Sequence, residues 1–316
     1  MEIIYLDQNK WIELAKVQAG IVRSGAIFDL FEEMVLAVKA GDAIFPLSAS
    51  HILETSKRND PISRSHVART QALLSQGRVY RSRTGRMLVE IGSLIRRLFG
   101  AVPFDLPQHW ALGANFFQAF EPMDPFVVGD ADEVRRTIRI AESLGAADLY
   151  IEYMENQDDS IRRIAHSNLA KGVMDLVSRI EGRRARLHGQ SVDMRRRAYS
   201  VQLFLDNQEK YIRIAANLGY DFRAIREMGD DAVRSLVDKV PTLRVEAELA
   251  ARLESGAGKI SSNDVFDMQA FYTAIPYSSR IIGEKAAISR ARQAKLDKIF
   301  NVAFSHSLND LVGVYR

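Results

Sequence analysis

The chain has 316 residues, of which 47% are hydrophobic and 26% are charged, a composition that indicates a folded globular protein and excludes a disordered one. It contains no cysteine, which excludes disulfides, thiolate catalysis and cysteine-based zinc sites together. The net charge of +3 is too small to indicate a nucleic-acid partner by itself. No apolar run approaches the roughly 18 residues of a membrane span. Glu2 stands where a secretory signal needs basic residues, so we expect a cytoplasmic protein with no membrane partner.

The first predicted elements are a buried strand and a helix, joined at Asp7. Residues 3–6 (Ile-Ile-Tyr-Leu) form a continuous apolar run, which is typical of a strand covered on both faces. A helix with its apolar residues on one face begins near Lys10. Asp7 or Asn9 either caps this helix or, because parallel sheets bind ligands at the carboxyl ends of their strands, belongs to a site.

The elements that follow alternate between helix and strand and predict an α/β fold with a parallel sheet. After the first helix we expect a helix at 27–39, a strand at 42–47 and helices at 51–58 and 63–74. The character then changes, and helices are predicted at 87–99, 131–144, 159–185, 193–218 and 222–238. From 242 the α/β pattern returns, with helices at 242–254, 265–274 and 285–299 and strands at 280–282, 302–304 and 313–315.

This change of character predicts two parts. Residues 1–76 and 242–316 together form an α/β domain, and residues 77–241 form a helical insertion or second subdomain. The two ends of the chain therefore have to meet in one sheet.

Acidic residues recur where predicted strands end and helices begin. They are Asp7 after the first strand, Glu54 in the helix after the second strand, Asp264 and Asp267 in the first turn of a late helix, and Glu284 after the strand 280–282. Because the carboxyl ends of parallel strands meet at one edge of a sheet, we expect these carboxylates to converge there.

Each of these acids also has a local alternative. Glu54 has Arg58 four residues later, the spacing of a surface ion pair. Asp264 is placed to cap its helix, which favours Asp267 as the third acid of the site. Glu284 is a helix-start acid that the helix dipole would favour.

Carboxylates that converge raise one another's pKa unless a cation lies among them. Mg²⁺ and Mn²⁺ prefer oxygen ligands, so one or two such ions are the expected cofactor. A bound ion of this kind activates water and clamps phosphoryl oxygens, which predicts phosphodiester hydrolysis.

The same succession of motifs resembles the PIN-domain nucleases, over residues 1–75 and 242–316. The matching segments are Ile-Ile-Tyr-Leu-Asp7, Ser-His-Ile-Leu-Glu54, Asn-Asp264-Val-Phe-Asp267 and Ile-Ile-Gly-Glu284. The resemblance implies a PIN-like central parallel sheet flanked by helices, with endoribonuclease activity on single-stranded or structured RNA. It implies catalytic roles for Asp7, Glu54, Asp267 and Glu284, and metal binding by Asp7, Asp264, Asp267 and Glu284. Asn9 is expected to hydrogen-bond at the metal.

The helical middle is rich in arginine between residues 179 and 197. Arginine suits bidentate contacts with phosphate, so we expect Arg183, Arg184, Arg186, Arg195, Arg196 and Arg197 to bind the RNA backbone. The alternative is a solvated helix face.

Three other functions compete with a nuclease. The first is a catalytically inactive PIN-like module that binds RNA or protein. The second is a haloacid-dehalogenase-like phosphatase, which also begins with a strand ending in Asp but needs an acid where Asn9 stands. The third is a helical protein–protein module. A nuclease could also bind a protein inhibitor or a second copy of the chain.

Overall fold

A four-stranded parallel sheet lies at the centre of the fold. The structure is a computed structural model, and it describes residues 1–128, 132–156 and 158–315. The strands in chain order are β1 (Glu2–Leu6), β2 (Ala43–Ile44), β3 (Val79–Tyr80), β4 (Leu112–Gly113), β5 (Arg280–Ile282) and β6 (Ala303–Ser305). The central sheet has the order β2-β1-β5-β6, with all neighbours parallel, and β3 and β4 form a separate antiparallel pair. The predicted α/β class with a central parallel sheet is confirmed.

Helices surround this sheet. They are α1 (Gln8–Gln18), α2 (Ala26–Ala40), α3 (Ala49–Ser56), α4 (Pro61–Ser75), α5 (Arg83–Leu98), α6 (Pro125–Val128), α7 (Asp132–Ser143), α8 (Ala146–Glu155), α9 (Ser160–Arg186), α10 (Val192–Asp206), α11 (Gln208–Asn217), α12 (Phe222–Glu227), α13 (Asp230–Asp238), α14 (Pro241–Ser255), α15 (Ser262–Ala274), α16 (Lys285–Gln293) and α17 (Leu296–Phe300). Short 3-10 helices lie at Phe116–Ala119, Glu121–Met123 and Leu308–Leu311. Within the described part of the chain, no helix combines the length and apolarity needed to cross a bilayer.

Strand β1 divides the hydrophobic core in two. Side chains alternate between the faces of a strand, so Ile3 and Tyr5 pack into one apolar cluster and Ile4 and Leu6 into another. All four side chains are buried. The continuous apolar run at the start of the chain thus forms a strand covered on both faces, as predicted.

Both core clusters contain residues from the sheet and from the helical middle. Leu203 and Leu236 pack in the cluster that contains Tyr5, and Tyr150 packs in the cluster that contains Ile4. Helix α9 packs against α3, α14 and α15, so the middle of the chain lies directly on the elements around the sheet edge. The division into residues 1–76 plus 242–316 and 77–241 stays a prediction.

Several element boundaries differ from the expected ones. The predicted helices at 193–218, 222–238 and 285–299 are each broken in two, at Asn207, around Gly229 and around Lys295. Gly229 and Lys295 have φ angles of 94° and 55°, which a continuing right-handed helix excludes. The strand predicted at 313–315 is wrong, because the chain turns there after a short 3-10 helix. The predicted helix at 131–144 begins at a residue outside the described ones and is otherwise present as α7.

Candidate active site

Asp7 lies where β1 ends and α1 begins, and it serves as the cap of that helix. Its Oδ1 accepts a 2.9 Å hydrogen bond from the amide of Gln8, while its own amide donates to the carbonyl of Ile282 at the end of β5. Burial and, to a smaller extent, the charge of Glu284 raise the pKa of Asp7 to about 6, although the Gln8 amide and Lys10 act in the opposite direction. Asp7 is therefore both a cap and a member of an acidic group.

Glu54 lies on α3, which begins after β2 and is capped by Ser48 and His51. Burial raises the pKa of Glu54 to about 7, and the charges of Asp7 and Glu284 add to this effect while Lys57 opposes it. The alternative pairing partner, Arg58, instead donates two hydrogen bonds to Ser63 Oγ. The charge of Glu54 is thus coupled to those of Asp7 and Glu284.

His51, one turn before Glu54, is a structural residue. Its ring stacks on Tyr5 with the centroids 5.0 Å apart, and burial lowers its pKa to about 3. It is therefore neutral, and its Nδ1 accepts a hydrogen bond from the amide of Ser48.

The two candidate acids of α15 have different roles. Asp264 forms a capping box, because its Oδ2 accepts hydrogen bonds from the amide and hydroxyl of Ser261. Its Oδ1 accepts a 3.0 Å hydrogen bond from Arg290. Asp267 is half-buried, and burial together with the charges of Asp7 and Glu284 raises its pKa to about 7. These contacts favour Asp267 as the third acid and Asp264 as a structural cap.

Glu284 begins α16 without capping it through its side chain. This exposed carboxylate accepts a 2.8 Å hydrogen bond from the side-chain amide of Asn9. Its charge raises the pKa of Asp7, Glu54 and Asp267, so it lies within electrostatic reach of all three. Acids from both ends of the chain therefore lie within electrostatic reach of one another.

The four carboxylates are grouped without being packed together. Among residues 1–128, 132–156 and 158–315, no three Asp, Glu or His side chains form a ready-made metal site. The donor chemistry nevertheless suits a hard divalent cation, since the group offers carboxylate oxygens whose charges repel one another. The side chains would have to draw together around an ion.

Arg290 is a member of this site that the sequence pattern did not indicate. One terminal nitrogen contacts Asp264 at 3.0 Å and the other lies 3.8 Å from Asp267. It follows Glu284 by six positions on α16, and no motif marks it. It orients the α15 acids and partly offsets the negative charge there.

Most of the arginines expected to bind nucleic acid make intramolecular contacts. Arg183 pairs with Glu254 at 2.6 Å, Arg196 with Asp238 at 3.0 Å, and Arg197 with Asp193 at 2.8 Å. Arg195 donates to the carbonyls of Leu187 and Gln190, and Arg184 donates to those of Gly256 and Gly258. Arg186 is exposed at the end of α9.

Comparison with known protein families, with curated proteins and with solved structures finds no match. The interpretation of the site therefore depends on its own geometry and chemistry.

Proposed function

We propose that this protein is a PIN-like, metal-dependent endoribonuclease whose active site is the group formed by Asp7, Glu54, Asp267 and Glu284. One observation carries the proposal: these acids come from opposite ends of the chain, and the pKa of each of the first three is raised mainly by burial and further by the charges of neighbouring acids. A stable fold gains nothing from such repulsion, and perturbed carboxylates gathered at a strand edge are typical of functional sites.

Asp7, Asp267 and Glu284 would hold Mg²⁺ or Mn²⁺. The ion would supply Lewis-acid stabilisation of the phosphoryl oxygens and a bound water of lowered pKa. The amide of Asn9 hydrogen-bonds to Glu284 and would orient it, and Arg290 lies 3.8 Å from Asp267 and offsets part of its charge.

Glu54 is the proposed general base. Its pKa of about 7 lies near neutral pH, where a carboxylate both accepts a proton from water and later releases it. The rigid start of α3, capped by Ser48, positions this side chain. Asp7 is constrained in the same way by the Gln8 amide.

The inactive PIN-like binding module is the second candidate. The observation that favours it is the spacing of the acids: within the described residues, no three of them lie close enough together to form a ready-made metal site. The phosphatase alternative is disfavoured because Asn9 uses its amide to donate to Glu284 and has no acidic proton to give.

Cleavage of labelled RNA by wild type and by Asp7→Asn, with Mg²⁺, Mn²⁺ or EDTA, tests the proposal. We expect cleavage by wild type with either metal, none with EDTA, and a loss of at least about 100-fold in the variant. Asp29→Asn, an exposed aspartate on α2, is the matched control and should cleave like wild type. Equal cleavage by wild type and Asp7→Asn would sink the proposal, and binding without cleavage under every metal condition would favour the inactive module.

A further inference from the structure

A cleft of about 830 Å³ opens where α9, α10 and α11 meet α14 and α15. We refer to it as the cationic cleft. Its walls carry five basic side chains, namely Arg83, Arg179, Arg183, Arg186 and Lys210, against two carboxylates, Glu246 and Asp206. Its volume is in the range of sites that bind small molecules or a few nucleotides. Only two of these basic residues, Arg183 and Arg186, belong to the set expected from sequence to bind nucleic acid.

Arg183 is a preorganised cation in the wall of this cleft. It is 9% exposed, its Nε donates to Glu254 Oε1 at 2.6 Å, and its guanidinium lies 4.3 Å from the centre of the Tyr199 ring. Its Nη2 has no hydrogen-bond partner among the described residues. Its contacts with Glu254 and the Tyr199 ring fix this buried cation in the wall, whereas Arg179 and Arg186 are exposed.

Carboxylates cancel only part of the positive charge of the cleft. Glu246 accepts hydrogen bonds from Arg83 at 2.7 Å and from the Tyr199 hydroxyl at 3.1 Å, so it offsets the charge of Arg83, as Glu254 offsets that of Arg183. Asp206 accepts from Gln202 at the rim. Burial lowers the pKa of Lys210, and the charge of Arg83 lowers it further, as expected in a region of excess positive potential.

A second cavity lies beside the cationic cleft. This smaller cavity, of about 220 Å³, shares Arg83 and Tyr272 with the cleft. It is also lined by Leu53 of α3 and Gln269 of α15, the two helices that carry Glu54 and Asp267. None of the four acids lines either cavity among the described residues.

We propose that the cationic cleft binds the phosphates of a single-stranded nucleotide chain that the acidic group cleaves. The inference rests on the proposed nuclease function and names where its substrate lies outside the reacting centre. Arginine and lysine side chains neutralise the backbone phosphates of such a chain. A free nucleotide offers the same phosphate chemistry, so the experiment separates the two.

The test is equilibrium binding of a labelled single-stranded RNA of about 12 nucleotides, in EDTA so that no cleavage occurs. The variant is Arg179→Ala/Arg186→Ala, which removes two exposed cleft cations and leaves the buried Arg183–Glu254 pair intact. The matched control is Arg223→Ala/Arg226→Ala, two exposed arginines on α12 that do not line the cleft.

Losing two phosphate contacts should lower the slope of log affinity against log salt by about 1.4 and weaken binding about 25-fold near 0.1 M salt. The control should bind like wild type. Unchanged binding by the cleft variant, or a wild type that binds ATP but not the strand, would overturn the inference. If wild type cleaves RNA and the cleft variant binds it as wild type does, the proposed nuclease function stands and strand binding in the cleft is overturned. If binding depends on Arg179 and Arg186 but no RNA is cleaved, strand binding in the cleft stands and the nuclease function is overturned.

Discussion

The side-chain amide of Asn9 donates a 2.8 Å hydrogen bond to Glu284 Oε1, joining residues 275 positions apart in the chain. This contact connects the first turn of α1 to the start of α16. It orients the carboxylate whose charge acts on the other three acids.

Removing this amide should weaken the affinity for metal more than it affects the fold. In Asn9→Ala we expect cleavage to need about 10- to 100-fold more Mg²⁺ for half its maximal rate, because groups that orient metal ligands contribute on this scale. The measurement is the rate of cleavage against Mg²⁺ concentration. A variant with the wild-type Mg²⁺ dependence would show that the hydrogen bond does not orient a ligand.

Neutralising Glu54 should stabilise the fold at alkaline pH. The pKa of Glu54 is raised from the usual 4.5 to about 7, so the folded state prefers the protonated carboxyl. This preference contributes fully to the free energy of unfolding below pH 4.5, and the contribution is lost as the pH rises through 7. Glu54→Gln should therefore unfold with a free energy about 2 kcal/mol higher than wild type near pH 8, and with little difference near pH 4.5.

Urea unfolding at the two pH values measures this difference. Glu32→Gln, an exposed glutamate on α2, is the control and should change stability at neither pH. A destabilised Glu54→Gln at pH 8 would show that the ionised carboxylate is favourable where it lies.

Divalent cations should raise the melting temperature of the wild type. An ion that binds only the folded chain stabilises it by about 2.7 kcal/mol at about 100 times its Kd. We expect Mg²⁺ or Mn²⁺ to raise Tm in thermal scans of wild type and to have a much smaller effect on Asp7→Asn, which offers one fewer anionic ligand. Identical shifts in the two proteins would place the ion elsewhere.

A second buried carboxylate, Glu90, should make stability depend on Thr242. Burial raises the pKa of Glu90 to about 7, although the amide and hydroxyl of Thr242 donate to it at 3.0 Å and 2.8 Å. The Tyr277 hydroxyl also lies against it. Thr242→Val removes one donor and should raise the pKa of Glu90 further.

Because the raised pKa costs stability only where Glu90 ionises, the loss in Thr242→Val should be larger near pH 8 than near pH 5.5. We expect about 2 kcal/mol at the higher pH, the contribution of one hydrogen bond to a charged group. Denaturant unfolding at both pH values measures it. A loss that is equal at the two values would mean that Glu90 does not change its protonation between them.

The strand edge was predictable because each of its signals is local. A run of four apolar residues followed by Asp7 identifies a doubly covered strand, and the parallel order of strands brings their carboxyl ends together. Nearby residues in the sequence also distinguish the helix cap Asp264 from the proposed site residue Asp267. Asp264 lies three residues after Ser261 and forms the capping box, whereas Asp267 lies one turn further on.

The arginines were less predictable because their partners are distant in sequence. Arg183 meets Glu254 across 71 positions and Arg196 meets Asp238 across 42. A cluster of like charges gives no information about such pairs, so buried and exposed members look the same in the sequence. The cationic cleft was missed for the same reason, since Arg83 and Lys210 lie on separate helices far apart along the chain.

The pairing of β1 with β5 has a consequence for synthesis on the ribosome. Strand β5 and Glu284 are translated 273 or more residues after Asp7. At about 5–20 residues per second, roughly 15 to 55 s therefore pass between the synthesis of Asp7 and the moment when the four acids can meet. If these acids form the proposed active site, the nascent chain cannot cleave RNA during that interval.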